Sequence, residues 1–588
     1  MSGQNDFEIE TDARLAALEA SGVEVLIIGA GINGAGLFRD LCAQGIRCLI
    51  VDKNDFGSGT SAASSRLIHG GLKYLETGEF RLVAQSTLER NLLLKNAPHC
   101  VQPLLTVIPI FSWMRGVGAA VGTFFGAKTL ARSRGALLVK AGLTLYDFYG
   151  ARERMMPRHR MLSRRRALQE FPALSDKIKA AATYFDAKVS RPERLVWELV
   201  RDGLDDTATA CALNYCDVLG HAKGEVILQR HNGAQITLSP LIVVNAAGPW
   251  IDAVNLKLGA PSHLIGGTKG SHILLDHPEL MAMLAGRMIY FEANDGRICL
   301  AFEYNGKVLV GSTDQKADDP DSVICEGWET DYFIERLRAI FPKLKFDPNQ
   351  VVYAYSGIRP LPASDAANPG LITRDHSAPV AVAQGERPFP IISMVGGKWT
   401  TFRGFAEEVA DDLVKRLGKA RRASTRAMAI GGGKDYPADA ATHAAWLNAA
   451  ALASGMPAPR LSEMLARYGT TALAVARHRG AWRDGDRLEQ APQFSLSEFD
   501  WIAAHEGAHS IADLVLRRTT LGLGHTLSRP DVCRLAEVLG ARLGWDAREK
   551  ERQIEIFATE MASRHGVRLS SAMELAHRPA SLKVKSSR

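Results

Sequence analysis

Apolar residues along the first 420 or so positions come in short runs cut off by glycine, the pattern of buried strands rather than amphipathic helices. VEVLII (23–28) is such a run; IRCLIV (46–51) ends instead at Asp52 and LIVV (241–244) in small residues, and PIISMVGG (390–397) leads from another into a glycine turn and a helix. ICLAFEYNGKVLVGSTD (298–314) instead alternates apolar with small or polar residues around a polar EYNGK turn, which predicts an antiparallel hairpin. With VVYAYSGIRPL (351–361) it predicts a mixed sheet separate from the first. Beyond about 425 the period changes. Ala, Leu and Arg recur at helical spacing in RLSEMLARYGTTALAVARH and HSIADLVLRR, so a helical domain is expected over 425–575. The opening MSGQNDFEIETDARLAALEA is acidic and polar, unlike a signal peptide, and reads as a surface arm or helix over 1–22. The tail 576–588 reads as basic and disordered, and the sequence contains no internal repeat.

The first glycine break carries chemistry. In GAGINGAG, Gly29 permits a tight turn, Gly31 lets backbone approach a pyrophosphate, and Gly34 lets helix and strand pack closely. The helix N-terminus then faces phosphate, and Asp52, ending the second run, is placed to accept from ribose hydroxyls. This strand–turn–helix–strand–acid order points to a dinucleotide. The next segment, GSGTSAASSRLIHGGLKYLE (57–76), is crowded with small hydroxyl residues. A flavin nucleotide needs such donors for its ribityl and pyrophosphate oxygens, and a nicotinamide nucleotide does not. A later glycine turn, GGKWTT (396–401), sets backbone N–H groups at a helix N-terminus, suited to the electron-rich edge of a reduced flavin.

Composition narrows the class. A chain of 588 residues with 46% hydrophobic and 23% charged positions is an ordinary large globular protein of several domains. Its eight cysteines include no CxxC pair, so they suggest reduced, mostly buried thiols rather than a zinc or iron–sulfur site. Net charge is only +7 but uneven: no acid occurs from Arg90 to Tyr146, and Arg152, Arg154, Arg158, Arg160 and Arg164 to Arg166 follow. Inside the acid-free stretch Trp113, Val117, Val121, Phe124 and Phe125 fall near helical spacing. The uncharged run 116–127 is too short to span a bilayer, which takes about twenty residues. An apolar stripe with basic flanks instead suits the interface of an anionic membrane, and 111–166 is read as a membrane-contact segment. No nucleic-acid module accompanies the charge, so nucleic acid is not an expected partner.

Eight ordered blocks give the sequence a resemblance to a known family. They are GAGINGAG (29–36), GTSAASSRLIHGGLKYLETGEFRLV (59–83), NAAGPWID (245–252), KGSHILL (269–275), GSTD (311–314), YSGIRPL (355–361), ITRDH (372–376) and GGKWTTFR (396–403). Over roughly 23–560 the chain resembles the FAD-dependent, membrane-associated glycerol-3-phosphate dehydrogenases. That resemblance implies an α/β, Rossmann-like FAD-binding domain with an inserted antiparallel substrate sheet, as in D-amino-acid oxidase, followed by an all-helical C-terminal domain. The cofactor domain would be discontinuous within 23–424, built from about 23–110, 180–260 and 370–424, with the substrate sheet at about 261–369. FAD would be met by Gly29, Gly31, Gly34, Asp52, Thr60, Ser61, Ser65, His69, Gly248, Gly397, Thr400 and Thr401. The implied reaction is oxidation of sn-glycerol 3-phosphate to dihydroxyacetone phosphate, with hydride going to FAD and electrons to membrane quinone. A homodimer peripheral to the cytoplasmic face of the cell membrane is implied as well.

Such a substrate needs fork-like donors for its phosphate, which arginine supplies. The resemblance assigns Arg359 and Arg374 to substrate binding, with Lys73 and Tyr74 supporting. Lys73 departs from the family's usual arginine in this motif, keeping charge and losing the fork. Removal of hydride also requires a proton acceptor or a cation for the developing alkoxide. His272, His69 and Lys398 are the candidates; His272 and Lys398 are expected to act on the alcohol and His69 to pack against flavin. No metal is expected, and His505 with His509 in HEGAH reads as part of a surface helix. The alternatives are the same chemistry on another polyol phosphate such as erythritol phosphate, oxygen as acceptor, a non-catalytic membrane flavoprotein, and a nicotinamide dehydrogenase.

Overall fold

A computed structural model describes residues 5–75, 78–114, 135–293, 296–317, 319–364, 375–524 and 527–570. The apolar runs at 23–28, 46–51, 241–244 and 390–393 form, with two further strands, one six-stranded sheet in the order Val380–Ala381, Ile391–Ser393, Ile242–Asn245, Val25–Ile28, Cys48–Val51 and Ala210–Leu213. All its pairings are parallel except the short edge strand Val380–Ala381. Each residue of the three central strands is buried, which is why they are continuously apolar and do not alternate. Helix Ile32–Ala43 packs between helices Pro192–Asp206 and Phe402–Arg416. Parallel pairing draws its strands from positions 25 to 393, so the nucleotide fold closes only when distant segments meet.

The second sheet is mixed and ten-stranded. The hairpin over Ile298–Tyr304 and Lys307–Gly311 forms as expected, and strand Val351–Arg359 pairs antiparallel with Thr268–Leu275. One expectation is corrected. Val101–Ile110 and Ala180–Val189, assigned by sequence to the cofactor segments, pair with each other and, through Met288–Glu292, belong to this second sheet. Hydrophobic pattern identifies a strand but not its partner, and here the partners lie about 80 and 180 residues away.

The N-terminal segment is a helix, Asp6–Ser21, that buries Phe7, Leu15 and Leu18. Leu15 and Leu18 join a core with a small antiparallel sheet, Cys216–Ala222, Glu225–Arg230 and Gln235–Leu238. The C-terminal region is helical, with Leu496–His505, Arg529–Leu543 and Ala547–His565 sharing one core with Leu274, Phe302, Tyr353 and Tyr355 of the second sheet. None of the eight cysteines forms a disulfide, and six of them are buried. No helix among the described residues is long and apolar enough to cross a membrane.

Candidate functional site

The glycine turn is shaped by what side chains would strike. Gly29 has φ +100°, and a Cβ there would lie 2.7 Å from the backbone of Ala246 and Ala247. A Cβ on Gly34 would collide with the carbonyl oxygen of Gly29, so strand and helix touch through bare backbone. Gly31 is the N-cap of helix Ile32–Ala43 and supplies no side-chain cap. Ser61 does so instead: its Oγ accepts from Ile32 N–H at 2.9 Å. Asp52 accepts from Ala30 N–H at 2.7 Å and from Asn54 N–H at 3.0 Å. Burial nonetheless pushes its carboxyl up to about 6.

The serine-rich loop binds the first helix through Ser61 and the second sheet through residues on strand Val351–Arg359. Thr60 Oγ donates to Ile358 O at 2.6 Å, while Tyr355 OH donates to Ser64 O at 2.9 Å. Arg66, beneath the loop, is held by Glu193 in a buried two-bond ion pair at 2.7 and 2.8 Å. On the other side the GGKWTT turn is knitted to the same loop. Trp399 Nε1 donates to Ser61 O at 3.0 Å, and Thr400 Oγ accepts from His69 N–H at 3.0 Å and donates to His69 O at 3.1 Å. Gly397, at φ +86°, lies against Asn33, whose amide donates to Gly396 O at 3.2 Å. Asn33 thus ties the helix N-terminus to the turn. Sequence reading gave it no role, although it stands inside the glycine motif.

Two clusters of expected substrate residues hang from this loop. In the first, Lys398 Nζ sits 3.7 Å above the ring of Tyr74, which also stacks with His69 at 6.2 Å. Lys73 lies beside Tyr74 in the short helix Leu72–Leu75. In the second, His272 Nε2 meets Ser65 Oγ at 2.7 Å and its ring stacks on Tyr355 at 5.0 Å. Burial, then the charges of Arg359 and Arg66, hold the imidazole well below its ordinary pKa, so it is neutral. Arg359 donates to Asp314 Oδ1, Ser312 Oγ and Thr313 O, all at 3.1 Å. Space for both side chains comes from glycine: a Cβ on Gly270 would strike the Arg359 guanidinium, and one on Gly311 the His272 ring. Arg374 lies outside the described residues. Asp314, in the GSTD block, was given no part by sequence, and it sets the direction of Arg359.

A third element escaped sequence reading altogether. Gly70 N–H donates to Tyr146 OH at 2.8 Å and to Asp186 Oδ1 at 3.2 Å. Arg90 donates to the same two oxygens, and Tyr146 donates to Asp186. This buried network fixes the HGG bend from beneath, and no local motif announces it.

The residues present fit a flavin dinucleotide. The turn offers backbone free of side chains, the half-buried carboxylate of Asp52 stands where a ribose is expected, and Thr401 Oγ is buried with no hydrogen-bond partner among the described residues. Gly248, at φ +59° with nothing within 4 Å of its Cβ position, leaves open space beside the turn.

Comparison with known proteins agrees with this geometry. Residues 24–403 match the family described as FAD dependent oxidoreductase, and residues 423–550 match the C-terminal domain of alpha-glycerophosphate oxidase. The chain is 33% identical to a glycerol-3-phosphate dehydrogenase of Synechocystis, over 92% of this chain and 96% of that one. It is 30% identical to D-erythritol 1-phosphate dehydrogenase of Brucella abortus, over 84% and 94% of the two chains. Its fold matches the glycerol-3-phosphate dehydrogenase from Bacillus halodurans complexed with FAD at a TM-score of 0.70 and 23% identity, covering 94% of this chain and 97% of that one.

Proposed function

Because the chain belongs to the FAD-dependent oxidoreductases, and within them to the glycerol-3-phosphate dehydrogenase family, we propose that it oxidises sn-glycerol 3-phosphate to dihydroxyacetone phosphate. FAD, when bound, supplies the hydride acceptor. The observation that carries the reading is the second cluster: a guanidinium aimed by Asp314, beside a buried neutral imidazole, on the strand that holds the serine-rich loop. Arg359 binds the phosphate, with Arg374, Lys73 and Tyr74 completing the set. His272 takes the hydroxyl proton. The positive charge of Arg359 depresses His272, so a phosphate dianion seated on Arg359 offsets that charge and raises the basicity of the imidazole when substrate is present. Lys398, held over Tyr74, stabilises negative charge that develops on the alcohol oxygen.

Electrons then pass to membrane quinone. Support comes from the surface of 111–166 that is described: Trp113, Met114, Leu137, Leu145 and Phe148 are exposed large apolar side chains, Phe148 at 72%. Leu137, Leu145 and Phe148 lie on one face of helix Ala136–Tyr149, and all seven arginines from Arg152 to Arg166 are exposed nearby in the chain. Val117, Val121, Phe124 and Phe125 lie outside the described residues. Phe148→Asp should release the protein from vesicles of anionic lipid; unchanged sedimentation with them would remove the membrane from this reading.

A second reading, D-erythritol 1-phosphate as substrate, is favoured by the Brucella relative. Anaerobic mixing of the flavin-loaded protein with each polyol phosphate, watched near ~450 nm, separates the two. Fast bleaching by glycerol 3-phosphate is expected. Bleaching only by the four-carbon compound moves the assignment to the second reading, and a flavin that stays yellow with both rejects the reaction. In Arg359→Ala, KM should rise about 10- to 100-fold, the loss of one charge-assisted contact, with the flavin spectrum unchanged.

A further inference from the structure

Glu8, His231 and His509 meet at the outer edge of the molecule, where the N-terminal helix, the turn between strands Glu225–Arg230 and Gln235–Leu238, and the segment after helix Leu496–His505 come together. Sequence reading placed His509 on a surface helix with His505. The helix in fact ends at His505, which turns to Asp6 at 3.4 Å, while His509 lies beyond it with a side chain 12% exposed. Glu8 Oε1 is 3.7 Å from His509 Nδ1 and 3.8 Å from His231 Nε2, and the two imidazoles stand 4.6 Å apart between centroids. These gaps are too long for hydrogen bonds. Tetrahedral bonds of about 2.0–2.1 Å separate ligand atoms by roughly 3.3–3.4 Å, so inward shifts of about half an ångström let these three atoms share one ion.

The surroundings are arranged for such an ion. Arg230, the nearest cation in sequence, is drawn off by Asp12 at 2.6 Å. His509 is fixed from behind, since Asp513 Oδ2 accepts from its backbone N–H at 2.8 Å and the ring of Tyr215 meets it edge-on at 5.3 Å. We propose that Glu8, His231 and His509 bind a divalent transition-metal ion, zinc by preference, with water as the fourth ligand. Two imidazole nitrogens and one carboxylate oxygen are a zinc donor set, whereas magnesium and calcium take oxygen. The ion joins segments more than 200 residues apart in sequence, so it staples the N-terminal helix and the small sheet to the C-terminal region. It stands outside the residues assigned above to flavin and substrate and has a structural role.

The test uses tag-free, flavin-loaded protein, stripped with EDTA, freed of chelator and titrated with zinc chloride. One equivalent should bind and raise the melting temperature, and cobalt(II) at the same site should show the visible bands of tetrahedral coordination. His231→Ala, in an exposed turn and therefore tolerated by the fold, should weaken zinc binding at least about tenfold and abolish the thermal shift. Glu8→Gln should act in the same direction, and His505→Ala should leave affinity unchanged. No saturable binding to the wild type, or equal affinity in His231→Ala, overturns the proposal.

Discussion

Asp52 and Asp55 stand three residues apart after one strand and do opposite work. Asp52 faces the cofactor turn, where recognition proceeds by subtraction: Gly29 and Gly34 remove side chains so that backbone can touch backbone or ligand. Asp55 faces the C-terminal region, where cohesion proceeds by addition of buried charge. Arg518 donates to both of its oxygens, at 2.6 and 2.9 Å, and Asn214 Nδ2 donates to Asp55 Oδ1 and to Gly507 O. Arg518 also donates to Glu506 O, and the Glu506 side chain pairs with Arg194 at 2.8 Å. Asp55 and Arg518 are both fully buried. The glycine turn therefore works by what it leaves out, whereas the charge network holds only while every partner is present. One short turn thus carries both a carboxylate of the glycine turn and one that binds the C-terminal region.

That contrast breaks most visibly at Asp55. Asp55→Ala leaves Arg518 charged, buried and without its carboxylate, and should cost about 3–5 kcal/mol in denaturant unfolding. Asp55→Leu combined with Arg518→Met removes both charges and should recover most of the loss. If the double variant is as unstable as the single one, the network is not what joins the two regions.

Gly29→Ala tests the opposite principle. It adds one methyl where backbone lies 2.7 Å away, at a φ that L-residues rarely adopt, and should cost about 2–4 kcal/mol from overpacking and strain together. The visible consequence is loss of bound FAD in protein that still folds. Full FAD occupancy in Gly29→Ala would show that the turn has more room than its geometry indicates.

The same contrast explains what was legible in the sequence. Gly29, Gly31, Gly34 and Asp52 announce themselves because their physical task needs fixed spacing over two dozen residues, and the GGKWTT turn does so for a similar reason. Asp55 is invisible because its partner is 463 residues away. Tyr146 and Asp186 reach Gly70 from separate elements, and Arg359 could be assigned to a phosphate without any hint that Asp314 orients it. The second sheet shows the same limit at the level of strands. The place of Val101–Ile110 beside Ala180–Val189 and Met288–Glu292 is decided by pairing, which leaves no local mark.

A smaller effect comes from Asp52 titrating. Burial raises its carboxyl from the ordinary 3.8 to about 6, so the flavin-free protein holds this proton more tightly than the unfolded chain. Folding stability from this group is therefore present at low pH and lost as pH rises from 3.8 to 6. Ribose hydroxyls that donate to the carboxylate reverse the preference on binding. FAD affinity should then be flat above pH 6 and fall by up to about tenfold per unit below it. Asp52→Asn should flatten that profile, measured by flavin fluorescence on titration of the apoprotein. A profile of the same shape in Asp52→Asn would assign the proton elsewhere.

Gly248→Ala is expected to be the mildest change and separates the two costs that Gly29→Ala combines. Both glycines have positive φ, but no atom lies within 4 Å of the Cβ position at Gly248. Only the conformational term remains, about 1–2 kcal/mol for an L-residue in the left-handed region. The unfolding midpoint should fall slightly, and FAD content should fall less than in Gly29→Ala, because the methyl displaces no protein atom. If Gly248→Ala instead empties the site as Gly29→Ala does, the open space beside Gly248 is filled by the dinucleotide itself, and subtraction of side chains extends from the first turn to the strand Ile242–Asn245 and the bend that follows it.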